Sequence, residues 1–362
     1  MKPRGRELGL PFAGATGPLN AITDIAGLGV GYSTIVSPPG ASPQIRTGVT
    51  AIVPHLEETA PLTTWAGFYA LNGNGEMTGT HWVNDAGLLR GPICITNTHS
   101  VGIVHHACVR WSMQRYRTAL AGHHFWAMPV VAETYDGMLN DINGLHVTEA
   151  HALAALDAAR PGPVAEGNVG GGTGMIAYDY KGGTGTASRR IEVAGRQGVI
   201  AALVQANHGR REWLTVLGVP VGRHMTGAPV WDKETGSIIV ILATDLPMLP
   251  HQLRRLAKRA AIGIGRGGTP GGNSSGDIFL AISTANKMVT PELAPHVWSF
   301  EAISDEVFDP IYMAAVEATE EAVINAMLAA EDTPAFFAPG KTVRAIDHAE
   351  LMAVMRRHGR AG

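Results

Sequence analysis

The sequence predicts an α+β chain, strand-rich through its first two thirds and helical toward its end. Glycine recurs throughout, at 45 of 362 residues, which implies many turns between short strands. After Ser237 the texture changes, and a buried strand gives way to long amphipathic stretches. Hydrophobic residues make up 45% of the chain, enough for a sizeable core.

Four early strands are bounded by Gly, Pro or Asn: "GVTAIVP" (48–54), "PICITNT" (92–98), "AMPVVAET" (127–134) and "VIAALVQAN" (199–207). Helix is scarce in this part. The exception is Thr148 to Ala159, where Thr148 caps the first turn and Leu153 and Leu156 share a face. Beyond Ser237 the strand "IIVILAT" leads into "PHQLRRLAKRAAIGI", with Leu253, Leu256, Ala257 and Ala260 on one stripe of a surface helix. A second helix starts at Asp309-Pro310, a side-chain cap followed by proline, and buries Met313, Val316, Val323, Ile324, Met327 and Leu328. A third runs from about His348 to Arg357. No repeat or linker divides the chain, so residues 1–362 read as a single domain.

Only 16% of residues are charged and the formal net charge is -3. Nucleic acid and anionic membranes are therefore not the expected partners. Cys94 and Cys108 lie in apolar segments and read as free buried thiols. The basic start "MKPRGRELGLPF" meets glycine and proline before an apolar run develops, and no 18-residue apolar window lacks charges or breakers. A soluble cytoplasmic protein is the expectation.

Several familiar patterns fail in context. "GTGMIA" (172–177) leads into β-favouring residues instead of the helix a dinucleotide fingerprint needs. "GKT" (340–342) lacks the first glycine of a phosphate loop, Ala335 standing in its place. His105-His106 and His123-His124 point to opposite faces if they lie on strands, and no acid completes a metal spacing. "GNSSG" (272–276) matches the nucleophile elbow, but the strand follows the serine where it should precede it. That leaves a Ser274, His348 and Asp305 hydrolase as a minor reading. Glu133, Tyr135, Asp136, Asn140 and Asp141 gather where one apolar strand ends, and Asn207 ends another; both placements suit a site and a loop equally.

The junction "ETGSIIVILATD" (234–245) sets a charged turn directly against an apolar strand. Gly236 and Ser237 either close a turn, or the chain is cut between them and Ser237 becomes a nucleophilic amino terminus. Long glycine-specific stretches decide for the second. "NGNGEMTGTHW" (72–82), "PVVAETYDGMLNDING" (129–144), "EGNVGGGTGMIAYDYKGGTGTASR" (166–189), "VQANHGRREWLTVLGVPVG" (204–222), "GSIIVILATDLPMLPHQLRRLAKR" (236–259) and "NSSGDIFLAISTAN" (273–286) resemble the self-cleaving aminopeptidases. That family includes the L-aminopeptidase/D-amino-acid esterase-amidases and the β-peptidyl aminopeptidases. The start and "LPHQLRRLAKR" look most like the former branch.

This resemblance implies a four-layer αββα sandwich like that of amino-terminal nucleophile hydrolases, with different connectivity. It implies a cut between Gly236 and Ser237, giving chains 1–236 and 237–362, and homo-oligomers of four such αβ heterodimers. Among the catalytic residues, Ser275 and Asp277 match the serine and acid that support the nucleophile, Asn207 the oxyanion-site asparagine and Tyr135 the active-site tyrosine. Glu133 matches the acid that holds the substrate's ammonium. Some relatives carry glutamate where Asp277 stands.

The chemistry is coherent without a metal or other cofactor. A serine hydroxyl needs a base within reach, and the freed α-amine of Ser237, titrating near pH ~8, supplies one. Glycine before the serine permits backbone angles that a side chain forbids. The expected substrates are small peptides and amino-acid amides or esters, D-stereospecific ones among them, cut at the first residue. The alternatives are an acyltransferase of the ornithine acetyltransferase type, which uses threonine at the cut, and a ligand-binding relative without chemistry.

Overall fold

The fold follows from strands that are apolar on both faces. In this computed structural model, which describes residues 2–38, 40–227, 236–290, 293 and 297–361, the eight residues from Ser237 to Thr244 are all buried. Ile238, Val240 and Leu242 face one core and Ile239 and Ile241 another. A strand covered on both sides has no reason to alternate, which is why "IIVILA" reads as an unbroken apolar run. Glu234 and Thr235 of that junction, and the end residues Met1 and Gly362, lie outside the described residues.

The strands are β1 (Gly29–Val36), β2 (Arg46–Val53), β3 (Leu62–Gly73), β4 (Leu88–Leu89), β5 (Ile93–Asn97), β6 (Val130–Thr134), β7 (Ile176–Ala177), β8 (Tyr180–Lys181), β9 (Gly183–Val193), β10 (Arg196–Asn207), β11 (Ser237–Thr244), β12 (Gly276–Val289), β13 (Thr333–Pro334) and β14 (Thr342–Val343). The helices are α1 (Thr80–Ala86), α2 (Val101–Arg115), α3 (Glu149–Asp157), α4 (Pro250–Arg266), α5 (Asp309–Ala329) and α6 (His348–Arg357). One sheet has the order β1-β2-β5-β6 and the other β4-β3-β12-β11-β10-β9. β7 with β8 and β13 with β14 form short hairpins.

Three cores make four layers of these elements. Val104, Ala107, Cys108 and Trp111 of α2 and Ala152, Ala155 and Leu156 of α3 pack on Val49, Ala51 and Val53 of β2. The other face of the same sheet, with Ile52, Ile93, Ile95 and Val130, meets Leu203, Ile239, Ile241 and Leu280 of the larger sheet. The far face of the larger sheet is covered by α4 and α5, and α6 adds Leu351, Val354 and Met355 to the same core. The expected αββα sandwich is therefore what forms. β11 and β12 are parallel and joined through α4, the crossover that such pairing requires. Their outer neighbours β10 and β3 both come from before Ser237.

The expected strands and the three late helices are present, with local differences. α2 departs from the expectation of little helix in this part of the chain: His105 and His106 lie on it, half-buried and exposed. Its apolar residues sit among His, Cys, Ser and Gln without a clean helical stripe, and packing on the sheet decides its conformation. Thr148 stands at the N-cap of α3 without a side-chain cap bond of its own, and the His151 ring instead accepts from the Thr148 N–H at 3.1 Å. Asp309 is the first residue of α5 and makes no side-chain cap. Met313 is 49% exposed, outside the face assigned to it. Cys94 and Cys108 are free and buried, 3.5 Å apart. No helix among the described residues is long and apolar enough to cross a membrane.

α5 is buried nearly all round, so its acids must be paired. The Glu321 carboxylate, at 0% exposure, meets Arg6 at 3.0 Å, Arg189 at 2.7 Å and the Asn20 amide at 2.6 Å. These bonds tie the amino-terminal segment to the last layer. Glu321→Ala removes the nearer of the two carboxylates that hold the Arg189 charge, 1% exposed, and leaves it only Glu317 at 3.2 Å, which should cost on the order of 3 kcal/mol. The check is the urea midpoint, which Glu321→Gln should lower less because one acceptor oxygen remains.

Candidate active site

The two sheets bring several polar strand ends to one edge. β10 and β11 are antiparallel with Asn207 opposite Ser237, and β11 and β12 are parallel with Ser237 opposite Gly276. β5 and β6 are parallel with Thr96 opposite Glu133, so Thr98 follows the end of β5 beside Glu133. A cavity of about 510 Å³ opens there, lined by Asn74, Gly75, Glu76, Thr98, Glu133, Tyr135, Met138, Gly236, Ser237 and Ser274.

Ser237 is 4% exposed, and its hydroxyl has no hydrogen-bond partner among the described residues. A buried hydroxyl left free is costly in a core; at a cavity wall it is available to a ligand. Gly236 does not adopt a left-handed φ, contrary to the sequence expectation. Its requirement is steric instead: a Cβ there meets the Asn207 carbonyl oxygen at 2.3 Å and the His208 Cα at 2.7 Å. The Gly276 N–H faces the Gly236 carbonyl at 3.4 Å.

Backbone groups fix the Asn207 amide. Its oxygen accepts from the Ile176 N–H at 2.7 Å, and its nitrogen donates to the Tyr135 carbonyl at 2.9 Å. Because both partners have unambiguous polarity, the amide cannot be flipped, and one N–H remains to donate. The Tyr135 ring stands at the cavity wall, 36% exposed, and burial raises its hydroxyl pKa.

Glu133 is 4% exposed. One carboxylate oxygen accepts from the Glu76 N–H at 2.9 Å and the other from the Thr98 hydroxyl at 2.5 Å. Burial pushes its pKa up, while these two bonds pull it down. Each oxygen keeps a lone pair for a ligand cation. Ser275 is fully buried and donates to Asp277 at 2.6 Å. Burial raises the Asp277 carboxyl, and Ser275 and Asn72 offset part of this.

The Asp136 to Asp141 cluster has another task. Asp136 accepts from Asn97 and Asn140, both at 3.1 Å, while Asp141 pairs with His146 at 2.9 Å. These bonds brace the loop after β6. The minor Ser274 reading does not assemble, because Asp305 is held by Gln252 and Arg255 and His348 bonds the Leu328 carbonyl. Thr98, Glu76 and Met138 were not singled out from the sequence. The polar "TNT" that ends β5 carried the same signal as the Glu133 strand end.

Comparison with known proteins gives the family and the fold. The profile of peptidase family S58 matches residues 20–338. The β-peptidyl aminopeptidase BapA of Sphingosinicella microcystinivorans is 47% identical, over 99% of this chain and 93% of its own. The structure of the L-aminopeptidase D-Ala-esterase/amidase from Ochrobactrum anthropi, described as a prototype for the serine aminopeptidases and a new variant of the Ntn hydrolase fold, superposes with a TM-score of 0.94 at 55% identity, covering 100% of both chains. A β-aminopeptidase from Burkholderia sp. superposes with a TM-score of 0.89 at 44% identity, covering 99% of each.

Burial raises the Asp136 carboxyl to about 6 from an ordinary 3.8, against the bonds from Thr47, Asn140 and Asn97. Between those values the folded chain holds a proton that the unfolded chain has released. This group's contribution therefore falls as pH rises through about 4 to 6. The stability deficit of Asp136→Asn should shrink by on the order of 2–3 kcal/mol from pH 4 to pH 7, read from urea titrations of both proteins.

Proposed function

The chain belongs to peptidase family S58 and is a serine aminopeptidase, and on that premise we propose that it cuts itself between Gly236 and Ser237 and uses Ser237 as its amino-terminal nucleophile. The observation that carries this reading is the free, buried Ser237 hydroxyl at the wall of a cavity that also holds Glu133, at the strand position opposite Asn207, whose amide has a fixed orientation. Its substrates are small peptides and amino-acid amides or esters with a free amino end.

In self-cleavage the Ser237 hydroxyl attacks the Gly236 carbonyl, and its proton passes to the departing amide nitrogen. The Gly276 N–H, already facing that carbonyl, donates to the developing oxyanion. Water then hydrolyses the ester and leaves a free α-amine on Ser237. The two chains stay together because β11 and β12 remain paired between β10 and β3, one catalytic unit made of residues 1–236 and 237–362. The family resemblance further implies four such units per assembly.

In turnover that amine, titrating near pH ~8, takes the hydroxyl proton and returns it to the leaving group. The remaining N–H of Asn207 donates to the oxyanion, an interaction worth ~3 kcal/mol in such sites. Ser275 immediately precedes the strand partner of Ser237 and, held by Asp277, stands beside the new amino terminus to orient it. The Tyr135 ring walls the acyl group. Glu133, charged above its raised pKa, pairs with the substrate ammonium and restricts cutting to the first residue.

Ser237→Ala should purify as one inactive chain, whereas the native protein yields fragments 1–236 and 237–362, the second beginning Ser-Ile-Ile-Val; intact mass decides. Cleavage of the alanine variant would remove Ser237 as nucleophile. Asn207→Ala should lower kcat by roughly 10²–10³-fold, measured on any fraction that has matured. Glu133→Gln should raise KM for free-amine substrates roughly 10–100-fold, the cost of losing a buried charge partner, and reduce the preference over N-acetylated ones.

A further inference from the structure

The cavity carries a second carboxylate that the reaction as derived does not use. Glu76 lines the same wall as Glu133 and Ser237, and its side chain is exposed. Among the described residues its carboxylate makes no hydrogen bond or ion pair; only its N–H is engaged, to Glu133. The charge lies close enough to act on the site: burial first, and Glu76 among the lesser causes, push the Glu133 carboxyl upward. Among the described lining residues there is no Lys, Arg or His. His99 acts on Glu133 from outside the cavity wall.

Two acids without a lining base leave a field that one substrate ammonium only half neutralises. The space between them is amphipathic. Met138, half-buried, and the Tyr135 ring offer apolar surface, which suits the methylene stem of a long cationic side chain whose head remains in water.

Resting on the aminopeptidase reading, we infer that Glu76 is a specificity residue that favours substrates whose first residue carries a second positive charge, lysine or ornithine, and disfavours acidic first residues. Glu133 takes the α-ammonium, the methylenes lie on Met138 and Tyr135, and the side-chain cation reaches Glu76. Because Glu76 is exposed, the effect is modest and sensitive to salt.

The test compares kcat/KM for lysyl, norleucyl and glutamyl p-nitroanilides, the norleucyl compound matching lysine without its charge. The lysyl-to-norleucyl ratio cancels any general loss of activity, so it reads charge selection alone. In the native enzyme this ratio should exceed one by roughly two- to five-fold and the glutamyl ratio should fall below one. Glu76→Gln should bring the lysyl ratio toward one, as should 1 M salt, and Glu76→Lys should invert it. A ratio that Glu76→Gln leaves unchanged overturns the inference while the aminopeptidase stands. Failure of the native, cleaved enzyme to hydrolyse all three overturns the reading beneath it as well.

Discussion

The site depends on one clamp between the two sheets. Gln205 and Asn207 lie two apart on β10 and so point the same way, toward the four-stranded sheet. The Gln205 amide donates to the Thr96 carbonyl at 3.1 Å and to the Thr134 hydroxyl at 2.6 Å. The Asn207 amide donates to the Tyr135 carbonyl just beyond β6. Apolar packing between sheets fixes their separation but is indifferent to small slides; these directional bonds fix where the strand ends meet. Ser237 is carried by the larger sheet and Glu133 by the smaller, so their separation is set by this clamp.

Burial on both faces of β11 supplies the complementary constraint. A one-residue slip against β10 would remove Ser237 from its place opposite Asn207 and turn its side chain to the helical layer. The apolar residues that follow resist it, since Ile239 and Ile241 fill one core and Ile238, Val240 and Leu242 the other. The nucleophile thus needs no flexible loop, and the strand that presents it is among the most buried parts of the molecule. Electrostatics complete the arrangement: Glu133 is buried and bound by two donors, with capacity left for a cation.

Much of this was legible in the residues. The strand and helix signals gave the mixed character of the chain, and the long glycine-specific stretches gave its family and layers. Gly236 was recognised as necessary, though for dihedral freedom, when the reason is the nearby Asn207 carbonyl and His208 Cα. α2 was missed because its residues carry no strong helical stripe and its conformation comes from the sheet beneath. Asp136 and Asn140 shared the strand-end signal of Glu133, yet they brace a loop and do not face the cavity. A linear pattern places polar groups at a strand end without telling which way each turns.

The sequence by itself determined the local elements, the apolar strand after Ser237 and the inventory of chemical groups, because periodicity and residue type act over short range. Tertiary structure decided which of those groups meet. Thr98 and Glu76 join Glu133 only because β3, β5 and β6 end at one edge, and Asn207 faces Ser237 only through the register of β10 with β11. Such contacts span dozens of residues and arise from sheet pairing and packing, which no short window of sequence encodes.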